Sequence, residues 1–254
     1  MARHFGATVN IVTVVHEEII DNIQPPDPFH LLHSAQKKMK QFADQEILSG
    51  ITHREFVKDG QIWDAIPALA NQLHIDLVLL SVHIQSRVKQ LLIGSVAEEI
   101  ISLSPCPVVA IGPHAKELPA SEWGLRQILY ATDLPSNSRK ALAYSLWLAK
   151  QERARLTLLH VHKAPGGSGM EESAREQCKR QLAQLLPPDA SDAELRVDTG
   201  VAGQQILKTA ETGNTDLIVM GRNTASAWIP THVPWATSHY VVSHAHCPVL
   251  IART

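Results

Sequence analysis

Short apolar runs alternate with amphipathic stretches along the second half of the chain. The runs predict buried strands, and the stretches between them carry apolar residues at helical spacing. Strands that alternate with helices predict right-handed crossovers and a mostly parallel sheet covered on both faces. The predicted strands span residues 126–133, 156–161, 194–198, 215–221 and 248–252, and the predicted helices span residues 138–151, 170–186, 202–212 and 237–244.

The second half of the chain repeats the first. Residues 75–81 (IDLVLLS) recur as residues 215–221 (TDLIVMG) with an offset of 140 (215 − 75), and the two Cys-Pro pairs recur with an offset of 141 (247 − 106). A repeat of this length indicates a duplicated domain, because solenoid units have roughly 20–50 residues. We therefore predict a first domain over residues 1–112, a linker over residues 113–124 and a second domain over residues 125–254.

The first copy starts late relative to the second. Val9 aligns with Leu156 (156 − 9 = 147), so residues 1–6 correspond to the end of the first helix of the second copy. The strand and most of the helix that open the second copy have no counterpart. Since the first strand is central in a doubly wound sheet, two explanations stay open. The first domain is truncated at its N-terminus, or another segment takes the place of the strand.

Composition limits the classes of partner. The chain has 254 residues, of which 44% are hydrophobic and 19% charged, as in a soluble chain of about two domains. A net charge of −2 does not attract nucleic acid or anionic lipid, and no apolar run approaches the roughly 18 residues of a membrane span. Three cysteines, two of them at equivalent repeat positions (Cys106 and Cys247), favour buried thiols in a reducing cytoplasm. We expect a cytoplasmic protein with neither nucleic-acid nor membrane partners.

Three segments together carry a resemblance to a known family. In the second copy, residues 131–133 (ATD) end the first strand and residues 216–221 (DLIVMG) form the fourth. In the first copy, residues 92–107 contain a Gly-Ser pair at positions 94 and 95 and end in Cys-Pro. This set resembles the universal stress protein family over nearly the whole chain. The resemblance implies two flavodoxin-like (adenine nucleotide alpha hydrolase-like) α/β domains with doubly wound parallel sheets, the first lacking its first strand and most of its first helix. It also implies that the two domains pair as separate subunits do in single-domain members.

The resemblance implies where a nucleotide would bind. Many members of the family bind ATP through Gly-x-x-Gly, nine residues, and then Gly-Ser or Gly-Thr. Glycines let backbone amides approach phosphate closely, and the second pair opens a helix whose N-terminus favours anions. An Asp after the first strand helps to hold the nucleoside. Carried onto this chain, the nucleotide-binding residues are Gly94 and Ser95 in the first copy and Asp133 and Gly221 in the second.

Both copies depart from the phosphate motif. Ser81 and Ile84 replace the leading glycines of the first copy, Thr224 replaces one glycine of the second, and Trp235 and Ala236 stand where its Gly-Ser pair belongs. Three interpretations stay open, one of which is a structural partner whose first half is a decaying duplicate and whose second half alone folds. The chain is a non-catalytic stress-response module with degenerate pockets that associates with its own copies or with other proteins. Alternatively, it is an ATP- or AMP-binding sensor or slow ATPase that uses the second-domain pocket, with ATP as its cofactor.

Other candidate chemistry is sparse. No nucleophile elbow, Walker loop or Cys-x-x-Cys pattern is present in the sequence, so we expect no catalytic residues and no enzyme activity. His239, His244, His246 and Cys247 form a cluster of metal-ligating residue types, but their spacing matches no zinc pattern, and we expect no metal. Ser95 and Glu98 have the spacing of a capping box, which is an alternative to a phosphate ligand for Ser95. Asp216 is expected to act in strand packing.

Overall fold

A computed structural model describes residues 1–15, 28–82, 95–116, 124–134, 139–163, 171–190, 192–222 and 236–253. They form strands β1 (Val9–Val15), β2 (His53–Asp59), β3 (Val78–Ser81), β4 (Val108–Ile111), β5 (Gln127–Thr132), β6 (Arg155–His162), β7 (Glu194–Thr199), β8 (Leu217–Arg222) and β9 (Val249–Arg253). The helices are α1 (Ala2–Phe5), α2 (Pro28–Ala43), α3 (Ile62–Gln72), α4 (Ser95–Leu103), α5 (Arg139–Glu152), α6 (Glu172–Leu185), α7 (Ala202–Thr212) and α8 (Ala236–His244). The chain divides into two compact units, residues 1–75 with 102–104, and residues 76–101 with 105–254.

The first unit contains a two-stranded parallel sheet. β1 and β2 pair in register from Val9 opposite His53 to Val15 opposite Asp59. α2 packs on both strands and buries Ala35, Met39 and Ala43, which are four residues apart and therefore lie on one helical face.

The second unit contains a seven-stranded sheet with the order β3-β4-β9-β8-β5-β6-β7. All neighbours are parallel except β4 and β9, which are antiparallel, with Val109 opposite Leu250 at the centre of the pairing. Strands of both sequence copies therefore share one sheet. The predicted α/β class is confirmed. In the second copy, with the order β7-β6-β5-β8-β9, the first strand is central, as expected of a doubly wound sheet.

The two units do not follow the duplication. β1 and β2 belong to one unit, whereas β3 and β4 of the same copy belong to the sheet of the other. In the second copy β5 pairs with both β6 and β8 and thereby joins the two halves of its sheet. Their first-copy counterparts, β1 and β3, lie in different sheets because residues 1–254 contain no first-copy counterpart of β5. The predicted domain boundaries remain a prediction.

Both faces of the large sheet are covered in the second copy. Side chains alternate along β5 and β8, so Leu129 and Ile218 face the cluster that includes residues of α7 and α8. Tyr130 and Val219 therefore face the opposite side, where α5 packs on β5, β8 and β9. Both are fully buried. β5 and β8 are thus core strands on both faces, as their uninterrupted apolar sequences predict.

Asp216 joins the beginnings of two neighbouring strands. Its Oδ2 accepts hydrogen bonds from the backbone amides of Arg126 (2.7 Å) and Gln127 (2.9 Å), at the start of β5. Its own amide donates to the carbonyl oxygen of Gln127 at 2.8 Å. Hydrogen bonds to a carboxylate are stronger than neutral ones. These contacts support the predicted packing role of Asp216.

We expect Asp216→Ala to lower the free energy of unfolding by about 2–3 kcal/mol, since it leaves two amides without their acceptor. Urea denaturation measures the loss. The matched control is Asp76→Ala at the equivalent position of the first copy, where the side chain is exposed and no described residue donates a hydrogen bond to it. That control should change stability by less than about 0.5 kcal/mol. Equal losses in the two variants would contradict the assigned role.

Gly112 marks a close approach between a first-copy segment and a second-copy helix within the large unit. It directly follows β4, and a Cβ atom built on it would overlap the carbonyl oxygen of Val242 in α8. Val242 is fully buried. The backbone oxygen of a packed helix cannot move aside as the end of a long side chain can, so only glycine fits at this position.

Gly112→Ala should therefore destabilise the protein by about 1–3 kcal/mol through overpacking. Thermal unfolding followed by circular dichroism measures the change. Gly124→Ala is the matched control, because a Cβ there meets open space and its backbone φ is not in the left-handed region. If Gly112→Ala proved as stable as the control, the close approach to α8 would be wrong.

Candidate functional site

The strand order places a crevice at the carboxyl ends of β5 and β8. β5 lies between β6 and β8, and the strands that follow it in sequence are added first on the β6 side and then on the β8 side. In doubly wound sheets, ligands bind outside the carboxyl ends of the strands where the direction of winding changes. Ala131 lies opposite Met220. Asp133, just after β5, and Gly221, near the end of β8, are thus brought to neighbouring strand ends. This is the candidate site.

The backbone turns sharply at the end of β5. Leu134 adopts a left-handed conformation (φ 72°), and its amide donates to the hydroxyl of Thr132 at 3.1 Å. The Thr132 carbonyl accepts a hydrogen bond from Nδ1 of His160 at 3.0 Å, which requires that Nδ1 carry the proton. Thr132 rather than Asp133 therefore satisfies the Leu134 amide. The Asp133 side chain is exposed, and no described residue forms a hydrogen bond with it.

Two histidines lie at the carboxyl end of β6, on the strand next to β5 of the candidate site. His160 and His162 end β6 and are half-buried, and the amide of Gly200, just after β7, donates to the His162 carbonyl at 3.0 Å. Arg253, at the end of β9, is exposed. The family motif carried onto this chain does not include these cationic or ionisable groups. Their position at the end of a predicted parallel strand was the available signal, since ligands approach that end.

The first-copy candidates belong to the other end of the large sheet. Because β4 runs antiparallel to β9, the carboxyl end of β3 lies opposite the carboxyl ends of β5 and β8. Ser95 begins α4, which returns the chain from that end to the start of β4. The structure therefore does not bring Ser95 together with Asp133. Gly94, the Ser95 side chain and the substituted motif positions Ile84, Thr224 and Trp235 lie outside the described residues.

A small cleft opens at the amino ends of β5, β6 and β7, away from the candidate site. Its volume is about 70 Å³, whereas ligand pockets usually have about 300–1,000 Å³. The polar groups of its lining pair with protein atoms: Thr157 donates to Glu194 at 3.1 Å, and Arg196 contacts Asp198 at 2.9 Å. The cleft is too small for a nucleotide.

The histidines considered as metal ligands make other contacts. His239 Nε2 lies 3.5 Å from Glu98 Oε1, and Nδ1 of His244 hydrogen-bonds the Tyr240 carbonyl at 2.8 Å. Nδ1 of His246 contacts the carbonyl of His114 at 3.2 Å. Within the described part of the chain, no group of three or more His, Cys, Asp and Glu residues could hold a metal ion. The expectation of no metal stays a prediction.

The two repeat-related cysteines differ in burial. Cys247 is buried, and that burial raises the pKa of its thiol to about 12, so the reactive thiolate is strongly disfavoured. Cys106 is only partly buried, so the prediction of a buried thiol was wrong at that position. Cys247 precedes β9, which lies two strands from the sheet edge, whereas Cys106 precedes β4, which lies one strand from it.

Comparison with known proteins identifies relatives of the chain. The model of the universal stress protein family matches residues 1–112 and again residues 124–253. A universal stress protein from Archaeoglobus fulgidus DSM 4304 superposes with a TM-score of 0.74 at 17% identity over 97% of this chain and 85% of that chain. A functionally unknown protein from Pseudomonas aeruginosa PAO1 superposes with a TM-score of 0.60 at 17% identity over 96% and 82%. At such identities the structural likeness shows the fold alone.

No curated protein matches the chain significantly. Among the described residues, no helix combines the length and the apolar character that crossing a membrane requires.

Proposed function

The chain belongs to the universal stress protein family, with two copies of the family domain in tandem, and we propose that it is a non-catalytic stress-response module. It acts in the cytoplasm through association with its own copies or with other proteins. Its nucleotide pockets are degenerate and take no part in catalysis.

The groups that one copy retains cannot complete the pocket of the other copy, and this separation carries the proposal. Asp133 and Gly221 lie at the carboxyl ends of β5 and β8, while α4, whose first residue is Ser95, belongs with the opposite end of the sheet. A nucleotide needs both groups within one pocket, because its phosphates and its ribose are only a few bonds apart.

The substitutions in the motif support the same conclusion. Ile84 has a β-branched side chain where the family has glycine, and Trp235 has a large one where the Gly-Ser pair would admit phosphate. Backbone amides bind phosphate at close range only where no side chain intervenes. Both copies have thus lost the feature on which the family motif depends.

A nucleotide sensor or slow ATPase in the second domain is the alternative, and one observation favours it. The exposed Asp133 carboxylate lies at the strand end next to Gly221, with His160 and His162 ending the adjacent strand. In this alternative Asp133 binds the ribose, Gly221 admits the ligand closely, and ionisable side chains replace the lost phosphate loop.

Native mass spectrometry of the full chain, with millimolar ATP and magnesium added, distinguishes the two functions. We expect the mass of the protein to stay unchanged and ATP not to be hydrolysed, because larger residues replace the glycines of the phosphate motif in the sequence. A stable ATP, ADP or AMP adduct that Asp133→Ala abolishes would contradict the proposal and establish the sensor. Asp189→Ala, which removes an exposed carboxylate elsewhere, is the control for charge alone.

A further inference from the structure

The pairing of β4 with β9 has an approximate two-fold axis. Val109 lies opposite Leu250, and these residues occupy equivalent positions of the repeat, since 250 − 109 gives the offset of 141 found for the Cys-Pro pairs. On either side, Val108 lies opposite the repeat equivalent of Ala110, and Ala110 lies opposite the repeat equivalent of Val108. The axis therefore passes between Val109 and Leu250.

A second pair of equivalent residues meets on the same axis. Helices α4 and α8 each have nine residues and begin at equivalent positions (236 − 95 = 141). Glu98 of α4 is the repeat equivalent of His239 of α8 (239 − 98 = 141). Nε2 of His239 lies 3.5 Å from Oε1 of Glu98, and both side chains are partly buried. In a two-fold interface, a residue on the axis contacts its own equivalent, so this contact shows which residues would meet if like copies paired.

The axis contact is complementary because the two copies differ at this position. A carboxylate attracts an imidazole nitrogen that carries a proton, and a protonated imidazole adds the attraction of opposite charges. Two first copies paired about the same axis would bring two Glu98 carboxylates together, which repel each other. Two second copies would bring two His239 rings together without a carboxylate between them. The contact therefore favours a first copy beside a second copy.

A steric contact distinguishes the copies in the same direction. Gly112 lies so close to the carbonyl oxygen of Val242 in α8 that a Cβ atom would overlap it. The repeat equivalent of Gly112 is Arg253 (253 − 112 = 141). Two second copies paired about the same axis would therefore place the Cβ atom of Arg253 against the Val242 carbonyl. Helix backbone cannot move aside at low cost, so this contact opposes the pairing of two second copies.

We infer that Glu98, His239 and Gly112 determine which copies pair through β4, β9 and these two helices. Glu98 and His239 favour unlike copies, and Gly112 admits the first copy where the second copy would clash. Two chains therefore do not associate by placing equivalent copies together at this surface, and self-association of the chain uses another one. This inference goes beyond the proposed function and does not depend on it.

One substitution in the full chain reproduces the axis contact of two first copies. His239→Glu places two carboxylates on the axis, and His239→Gln is the matched control without the charge. We expect the equilibrium constant of unfolding, from urea denaturation at neutral pH, to be about fivefold higher for His239→Glu than for His239→Gln. The difference should shrink in about 1 M salt, because salt screens the repulsion between partly exposed charges.

Exchanging the two residues tests whether complementarity decides the effect. The double variant Glu98→His with His239→Glu restores an unlike pair, and it moves the acidic residue from the first turn of α4 to the equivalent turn of α8. We expect its unfolding constant to lie within about twofold of that of the parent chain, because the lost contact is rebuilt.

Gly112→Arg reproduces the steric contact of two second copies. It should raise the unfolding constant at least about tenfold relative to Gly124→Arg, because a Cβ atom at position 124 meets open space.

Val109→Cys tests the pairing of like copies between chains, because the introduced thiol lies on the axis. If first copies of two chains paired, oxidised glutathione would join the chains through a disulfide at position 109. We expect no more disulfide-linked dimer, measured by non-reducing electrophoresis, than in the parent chain with its three free cysteines.

Several results would overturn the inference. These are equal unfolding constants for His239→Glu and His239→Gln, an exchanged pair no more stable than His239→Glu alone, or a chain-to-chain disulfide at position 109. Equal stability of Gly112→Arg and Gly124→Arg would remove its steric half. None of these experiments contains nucleotide, so a nucleotide adduct in mass spectrometry would refute the proposed function without altering their results.

Discussion

The antiparallel pairing of β4 with β9 is the interaction on which the large unit depends. Val108, Val109 and Ala110 lie opposite Ile251, Leu250 and Val249, and all six residues are at most 3% exposed. A pair of four-residue strands such as β3 and β4 is not stable alone. Joined to β9, the pair extends an existing sheet and shares the hydrophobic core of the second copy.

The second constraint is the central strand of a doubly wound sheet. β5 is hydrogen-bonded on both edges, covered on both faces and anchored at its start by Asp216. The described strands of the first copy, by contrast, lie in two sheets, Leu79 on β3 is exposed, and no described residue donates a hydrogen bond to Asp76.

The local pattern of apolar and polar residues was sufficient to predict most helices and strands of the second copy. α7 spans residues 202–212 as predicted, and the ends of the five predicted strands agree with the structure to within two residues. Repeat offsets also located Asp216, because its counterpart occupies the same place before a strand. The resemblance to the family then supplied the doubly wound sheet, in which the first strand is central, whereas the full strand order was not predicted.

Properties that arise between distant segments could not be predicted. The apolar sequence of β3 is that of a buried strand, and nothing local shows that one edge is unpaired. Cys106 and Cys247 both precede a proline and an apolar strand, but β4 lies one strand from the sheet edge and β9 lies two, and only Cys247 is fully buried. At the candidate site, the bond from His160 to the Thr132 carbonyl joins two strands 28 residues apart. Only the assembled sheet reveals it.

Hydrogen exchange of the backbone amides in β4 tests the central claim most directly. If β4 joins the two copies in one sheet, the amides of residues 108–110 that point to β9 should exchange as slowly as those of β5, through global unfolding. The outward-pointing amides of β3 should exchange much faster. Exchange in β4 as rapid as that of the β3 edge would show that the β4–β9 pairing does not persist in solution and would contradict this account.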